Sequence, residues 1–172
     1  MKKATRILSE EHKKILKMID SLIEECNIIK NENTINRPFF SQSVEFIKNY
    51  ADKYHHAKEE DILFPALCGG EVEMHCDPTK QMLHEHSLGR EYVKGIDAGL
   101  KEDDKTKIIK NSLKYAELLK DHIYKEDNIL YPMADEALSE KQQKEILEKF
   151  QLAEKKFNVK TIEKYLNFVR NL

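Results

Sequence analysis

Residues 5–31 set Leu8, His12, Ile15, Ile19, Leu22, Cys26 and Ile29 at alternating steps of four and three. That spacing puts all of them on one stripe of a helix packed in a bundle. The pattern returns three times. From about residue 38 to 67 the stripe is Phe40, Val44, Ile47, Ala51, His55, Glu59 and Ile62. From about 79 to 101 it is Met82, His86, Gly89, Val93, Ile96 and Leu100. From about 105 to 135 it is Ile108, Ser112, Tyr115, Leu119, His122, Glu126, Ile129 and Met133. Short breakers, NENTINRP, FPALCGG and KEDDKT, fall between the stripes, and connections this short make neighbouring helices antiparallel. Residues 1–137 are therefore predicted to form an all-α, up-down-up-down four-helix bundle. A capping box at Ser139–Gln142 opens a further helix with Ile146, Phe150, Ala153 and Phe157, and Ile162, Leu166 and Val169 extend the pattern. Residues 138–172 are read as a helical extension, packed across the bundle or in a homodimer interface.

Composition narrows the function classes. The 172 residues include only five glycines and four prolines, too few for the frequent turns of a sandwich or barrel. A net charge of -2 argues against a nucleic-acid footprint or a basic membrane helix. No apolar run approaches the roughly 18 residues of a membrane span. The start, MKKATRILSEEHKK, lacks the apolar core of a secretory signal. Three cysteines without a CxxC pair suit reduced thiols in a cytoplasm. Cys68, His75 and Cys76 share a loop whose spacing makes no metal site, though a disulfide or thiol switch stays open there.

The chain repeats itself. HHAKEEDILFPAL from His55 and HIYKEDNILYPMA from His122 share His, Lys at +3, Glu at +4, an acid at +5, Ile–Leu, an aromatic and Pro at +10. LSEEHKKILKMI from Leu8 and MLHEHSLGREYV from Met82 both carry Glu–His, with the His four residues after the first stripe residue. A helix with His followed by a helix with HxxxE thus occurs twice, which suggests a pseudo-two-fold axis with a site upon it.

His12, His55, His86 and His122 lie one per stripe, and Glu59 and Glu126 follow two of them by one turn on the same faces. A buried carboxylate costs several kcal/mol unless it is paired or bound to metal. Six such groups at one level would displace the apolar packing, and metal coordination offsets that loss. Imidazole with carboxylate and no thiolate suits Fe, Mn or Zn. Two carboxylates from facing helices can bridge two metals in a bundle. The remaining coordination positions would admit solvent, dioxygen or another small molecule.

These residues (His12, HHAKEED, Glu85–His86 and HIYKED) resemble the hemerythrin-like, HHE-type cation-binding family over roughly residues 5–137. The resemblance implies a four-helix bundle holding two non-haem iron ions with an oxo or hydroxo bridge, ahead of manganese or zinc. His12, His55, His86 and His122 would be terminal ligands, with Glu59 and Glu126 bridging. It implies a small diatomic or peroxide ligand, an unspecified electron donor, and a role in oxidative or nitrosative stress. The chain would either reduce nitric oxide or peroxide as an oxidoreductase, or bind and sense oxygen or store iron without turnover.

Departures from the family pattern leave several positions open. Oxygen carriers have His–x3–His on helix three, whereas Arg90 stands four residues after His86 here. This brings the set closer to the four-His, two-Glu members such as the repair-of-iron-centres proteins. His84 is a possible alternative ligand, and Asp127 at +5 competes with Glu126 for the bridge. Glu60, Arg90 and Tyr54 are candidates for the surroundings of the ligands, as is His56, read as pointing outward or supporting them from behind. Tyr54, Tyr115 and Tyr124 are otherwise core aromatics. Gly89 is read either as a close helix contact or as a cavity beside the metals.

Overall fold

A computed structural model describes residues 3–69 and 78–172. His75 and Cys76 lie outside these residues. Six helices and no strand occur among the described residues. They are α1 (Ala4–Glu32), α2 (residues 37–68), α3 (Thr79–Glu102), α4 (residues 105–137), α5 (Glu140–Glu154) and α6 (Val159–Arg170). Among the described residues no helix is long and apolar enough to cross a membrane.

Local chemistry sets the ends. Asn36 and Asp104 accept the backbone N–H groups of Phe39 and Lys107, which caps α2 and α4. Ser139 and Gln142 form the capping box of α5. Asn33 and Asp103 end α1 and α3 at φ 56°, a left-handed conformation that short polar side chains tolerate. Cross-bundle contacts fix the directions. Thr5 at the start of α1 donates to Asp135 at the end of α4 (2.8 Å), and Lys105 at the start of α4 donates to Asn33 after α1 (2.9 Å). Arg37 at the start of α2 reaches Leu100 O (2.8 Å) and Asp103 at the end of α3. These pairs run antiparallel, the bundle that the stripes predict.

Helices α2 and α4 are not uniform. Both widen to π-type turns over Glu59–Leu63 and Glu126–Leu130, and α2 also does so over Ile47–His56. Pro65 and Pro132 stand just beyond the two matching wide turns. A proline ring conflicts with the carbonyl four residues earlier and donates no hydrogen bond, so the preceding turn opens. The phase of both stripes slips as a result. Leu63 and Leu130 are buried where the regular spacing selects Ile62 and Ile129. Ile62 is only half-buried, and Ile129 is 50% exposed. Ala134 likewise packs inward while Met133 is half-buried.

The interior has two apolar clusters with a polar level between them. Leu8, Leu63, Met82 and Leu130 belong to one, and Ile15, Ala51, Val93 and Leu119 to the other. His12, His55, Glu59, His86, His122 and Glu126 fall between these positions on their helices and are all buried. The C-terminal helices lie along the bundle. Ile146 and Phe150 of α5 join the first cluster, Tyr165 and Val169 of α6 the second, and Tyr165 meets Phe46 edge-on at 6.4 Å.

Phe150 is wholly buried, so truncation there should be felt by the bundle as well as by α5. Phe150→Ala should lower stability by about 3–5 kcal/mol, seen as a lower denaturant midpoint with an unchanged slope.

Candidate metal centre

His12, His55, His86 and His122 face inward from the four bundle helices, with His56 buried beside His55, and the inward-facing Glu59 and Glu126 come from α2 and α4. Glu59 Oε2 lies 3.7 Å from His55 Nε2 and 3.5 Å from His86 Nε2. Glu126 Oε2 lies 3.3 Å from His12 Nε2 and 3.2 Å from His122 Nε2. The donor atoms of His12, His55, Glu59 and Glu126 all sit within 4.8 Å of one another, as do those of His56, His86 and His122. Each glutamate therefore touches one histidine of each group.

Behind the histidines stands a ring of carboxylates. His12 Nδ1 lies 3.0 Å from Asp127, His55 Nδ1 2.8 Å from Glu11, His86 Nδ1 2.6 Å from Glu60, and His122 Nδ1 2.8 Å from Glu85. A carboxylate only accepts, so each Nδ1 carries the hydrogen and each Nε2 faces the centre. This is the arrangement that orients metal-binding imidazoles. The ring is itself held. Lys58 binds Glu11 and Lys125 binds Glu85, while Arg90 donates to Glu60 at 2.7 Å and Ser9 to Asp127 at 2.6 Å.

Every polar position of the repeat now has a task. In both HxxKE blocks the His and the Glu at +4 face the centre. The Lys at +3 holds the Glu that precedes the histidine of the preceding helix. The acid at +5 supports a histidine across the axis, Glu60 for His86 and Asp127 for His12. The aromatic at +9 stacks on that same histidine, Phe64 on His86 (6.1 Å) and Tyr131 on His12 (5.5 Å). Tyr131 breaks the symmetry, because its hydroxyl also donates to Glu59.

The sequence-predicted positions sort accordingly. Glu126 faces the four histidines, and Asp127 lies behind His12. His84 is exposed and Tyr124 is 65% exposed, both away from the centre. Tyr54 stacks on Tyr50 at 5.3 Å and under the Lys58 ammonium at 4.0 Å, remote from the Nε2 atoms. Arg90 binds the carboxylates of Glu60 and Asp52. His56 does not point outward. It is buried and stacks on His86 with ring centres 3.8 Å apart. Gly89 is not a close helix contact, since a Cβ there would meet Leu119, Tyr115 and Leu118 at 3.5–3.9 Å, ordinary spacing. The close approach lies further along α3, where a Cβ on Gly99 would sit 2.9 Å from Ile108 Cγ1. Glu11, Glu85, Lys58, Lys125 and Tyr131 are functional neighbours that the stripes did not select. Their signal was the doubled Glu–His pair and the doubled Lys at +3.

The buried charges perturb one another strongly. Burial pushes Glu59 far up, helped by the Glu126 charge, while His122 and His12 outweigh burial to hold Glu126 far down. Burial disfavours the charged imidazole, yet Asp127 and Glu126 raise His12 to about 9, and Glu126 and Glu85 raise His122 to about 10. Burial, with His12 beside one and His86 beside the other, keeps His55 and His56 neutral. His122 Nε2 lies 3.0 Å from His86 Nε2.

The donor set fits a metal pair. His55 Nε2, Glu59 Oε2 and both Glu126 carboxylate oxygens are buried without an aligned hydrogen-bond partner and converge on the same space. Imidazole and carboxylate are ligands of Fe, Mn and Zn. The sequence profile of the hemerythrin HHE cation-binding domain matches residues 3–134. The chain belongs to that family. No curated protein and no solved structure matches it.

Metal uptake by this centre should release protons, because His12 and His122 hold them at neutral pH and must lose them to coordinate. Affinity should rise with pH and level off near 9–10, as His12 and His122 lose their protons unaided. Calorimetry in buffers of different ionisation enthalpy reads the protons directly, and uptake without proton release at pH 7 would contradict the assignment. Glu85→Gln, which removes the charge behind His122, should weaken metal binding about 10–100-fold in a metal titration.

Proposed function

We propose that this chain is a non-haem di-iron protein that binds or reduces small oxidants such as dioxygen, nitric oxide or peroxide. The observation that carries this reading is the pair of buried carboxylates, each reaching two histidine groups, of which His86 and His122 also line a cavity. That cavity has a volume of about 300 Å³ and is bounded by Ile47, Gly89, Val93, Tyr115 and Leu119, with His56, His86 and His122 at its polar end. The cavity leaves room beside these histidines for a small oxidant.

Bound iron ions would supply electrons and open coordination positions for the oxidant. The protein's own residues do the rest. His12, His55, His86 and His122 would hold the metals, oriented by the carboxylates behind them. Glu59 and Glu126 would link the pair, and the Tyr131 hydroxyl donates to Glu59 and fixes its carboxylate plane. The apolar clusters on both sides keep bulk water from the centre. At the mouth of the cavity Lys48 and Lys94 are paired with Asp97 and Glu91, so the entrance has no strong field to select charged substrates.

Rapid mixing of the reduced, iron-loaded protein with each gas and with peroxide tests the reading. Fast oxidation or a reversible adduct supports it, and multiple turnovers with added reductant identify an enzyme. No reaction with any oxidant overturns it and leaves a metal that only holds the fold. Gly89→Leu fills the cavity and should slow the bimolecular step about tenfold, with Gly89→Ala in between.

A further inference from the structure

The two halves of the repeat fix their Glu–His pairs by different means. In the second half Glu85 accepts from Gln81 at 2.7 Å as well as from Lys125, and Lys125 is partly exposed. In the first half Ile7 stands where Gln81 does, so among the described residues Glu11 has only Lys58 and the His55 ring. Lys58 is buried, and burying an ammonium is costly unless it is paired and hydrogen-bonded. Its second carboxylate comes from outside the bundle. Glu154, the last residue of α5, accepts from Lys58 Nζ at 3.0 Å, with the Tyr54 and Phe150 ring centres 4.0 and 5.9 Å from the ammonium. The family profile ends at residue 134, so Glu154 lies beyond it. A carboxylate at a helix C-terminus opposes the helix dipole, and the last turn of α5 holds no basic residue to offset it. Glu154 thus does nothing for its own helix, and its partner is Lys58.

We infer that Glu154 is a positioning residue of the centre, supplied by the C-terminal extension: it holds the Lys58 ammonium, which holds Glu11, which aims the His55 ring. For its effect on metal affinity the inference rests on the two-metal reading above. The chain of contacts is continuous, from Glu154 Oε1 to Lys58 Nζ, from there to Glu11 Oε1, and from Glu11 Oε2 to His55 Nδ1 at 2.8 Å. An open cavity of about 820 Å³ borders Glu11, Tyr54 and Glu154. Without Glu154 the ammonium is held from one side only and is free to turn toward the water of that space. Glu11 then loses its fixed end, and the His55 ring loses the carboxylate that orients it. On the other side of the centre Gln81 and solvent steady Glu85 and Lys125. The centre therefore leans on the extension through the His55 side alone.

Proton NMR of the metal-free full chain and its anaerobic titration with Co(II) test this. In the metal-free protein Glu154→Ala should speed the exchange of the His55 Nδ1–H with water about fivefold or more and leave the His122 Nδ1–H unchanged. The same variant should bind one of two Co(II) equivalents about tenfold more weakly than wild type. Glu154→Gln keeps an acceptor for Lys58 without the charge. It should fall in between, and it serves if circular dichroism shows that the alanine variant does not fold. Gln81→Leu should do the reverse, loosening the His122 Nδ1–H and sparing that of His55. Ile146→Ala removes an apolar contact of α5 but no partner of Lys58, and should speed His55 exchange less than Glu154→Ala does. An equal effect from Ile146→Ala overturns the inference, because the extension then acts through stability alone. Unchanged His55 exchange in a folded Glu154→Ala variant also overturns it. Fewer than two Co(II) equivalents in wild type overturns the two-metal reading, and exchange in the metal-free protein still decides the role of Glu154.

Discussion

Two carboxylates at the centre of an apolar bundle are the constraint on which the rest depends. Glu59 and Glu126 sit among four buried imidazoles, each against a different pair, and cannot both be charged there without compensation. Without metal the balance is struck by protons, with Glu59 pushed toward its neutral form and His12 and His122 toward their charged forms. With metal it would be struck by cations. Both arrangements need the imidazoles aimed correctly, which is the work of Glu11, Glu60, Glu85 and Asp127. Those four need cationic or hydroxyl partners in turn. Burying one pair of charges thus organises three concentric layers, ending in lysines and an arginine at or near the surface.

The layers follow the repeat closely, and the departures from it are informative. Tyr131 against Phe64 gives only one of the two central carboxylates a hydroxyl donor. His56 against Ile123 gives only one half an additional imidazole. Arg90 and Ser9 support equivalent carboxylates by different chemistry. The repeat thus builds a centre with two unlike halves.

The fold was largely legible because the alternating four-and-three spacing and the shortage of turn residues admit little besides antiparallel helices. The inward histidines and glutamates were legible for the same reason, as polar residues on apolar stripes. Two things were not. Turn widening before Pro65 and Pro132 is a steric effect that a fixed helical period does not contain, so Ile62 and Ile129 were assigned the interior places that belong to Leu63 and Leu130. The carboxylate ring was hidden because Glu11 and Glu85 sit one residue off the stripe, where a charged side chain ordinarily faces solvent. Only the tertiary pairing with Lys58, Lys125 and the histidines turns them inward.

The C-terminal helices have a further effect. Lys58 is 1% exposed because α5 covers it, with Glu154 at 3.0 Å and the Phe150 ring beside it, whereas its counterpart Lys125 is 35% exposed. When the charge at the centre changes, water can reorient around Lys125 but not around Lys58. The half built on His55 and Glu11 must answer through rigid dipoles, and the half built on His122 and Glu85 through solvent. A change of charge at the centre would therefore be met by fixed dipoles on one side and by solvent on the other.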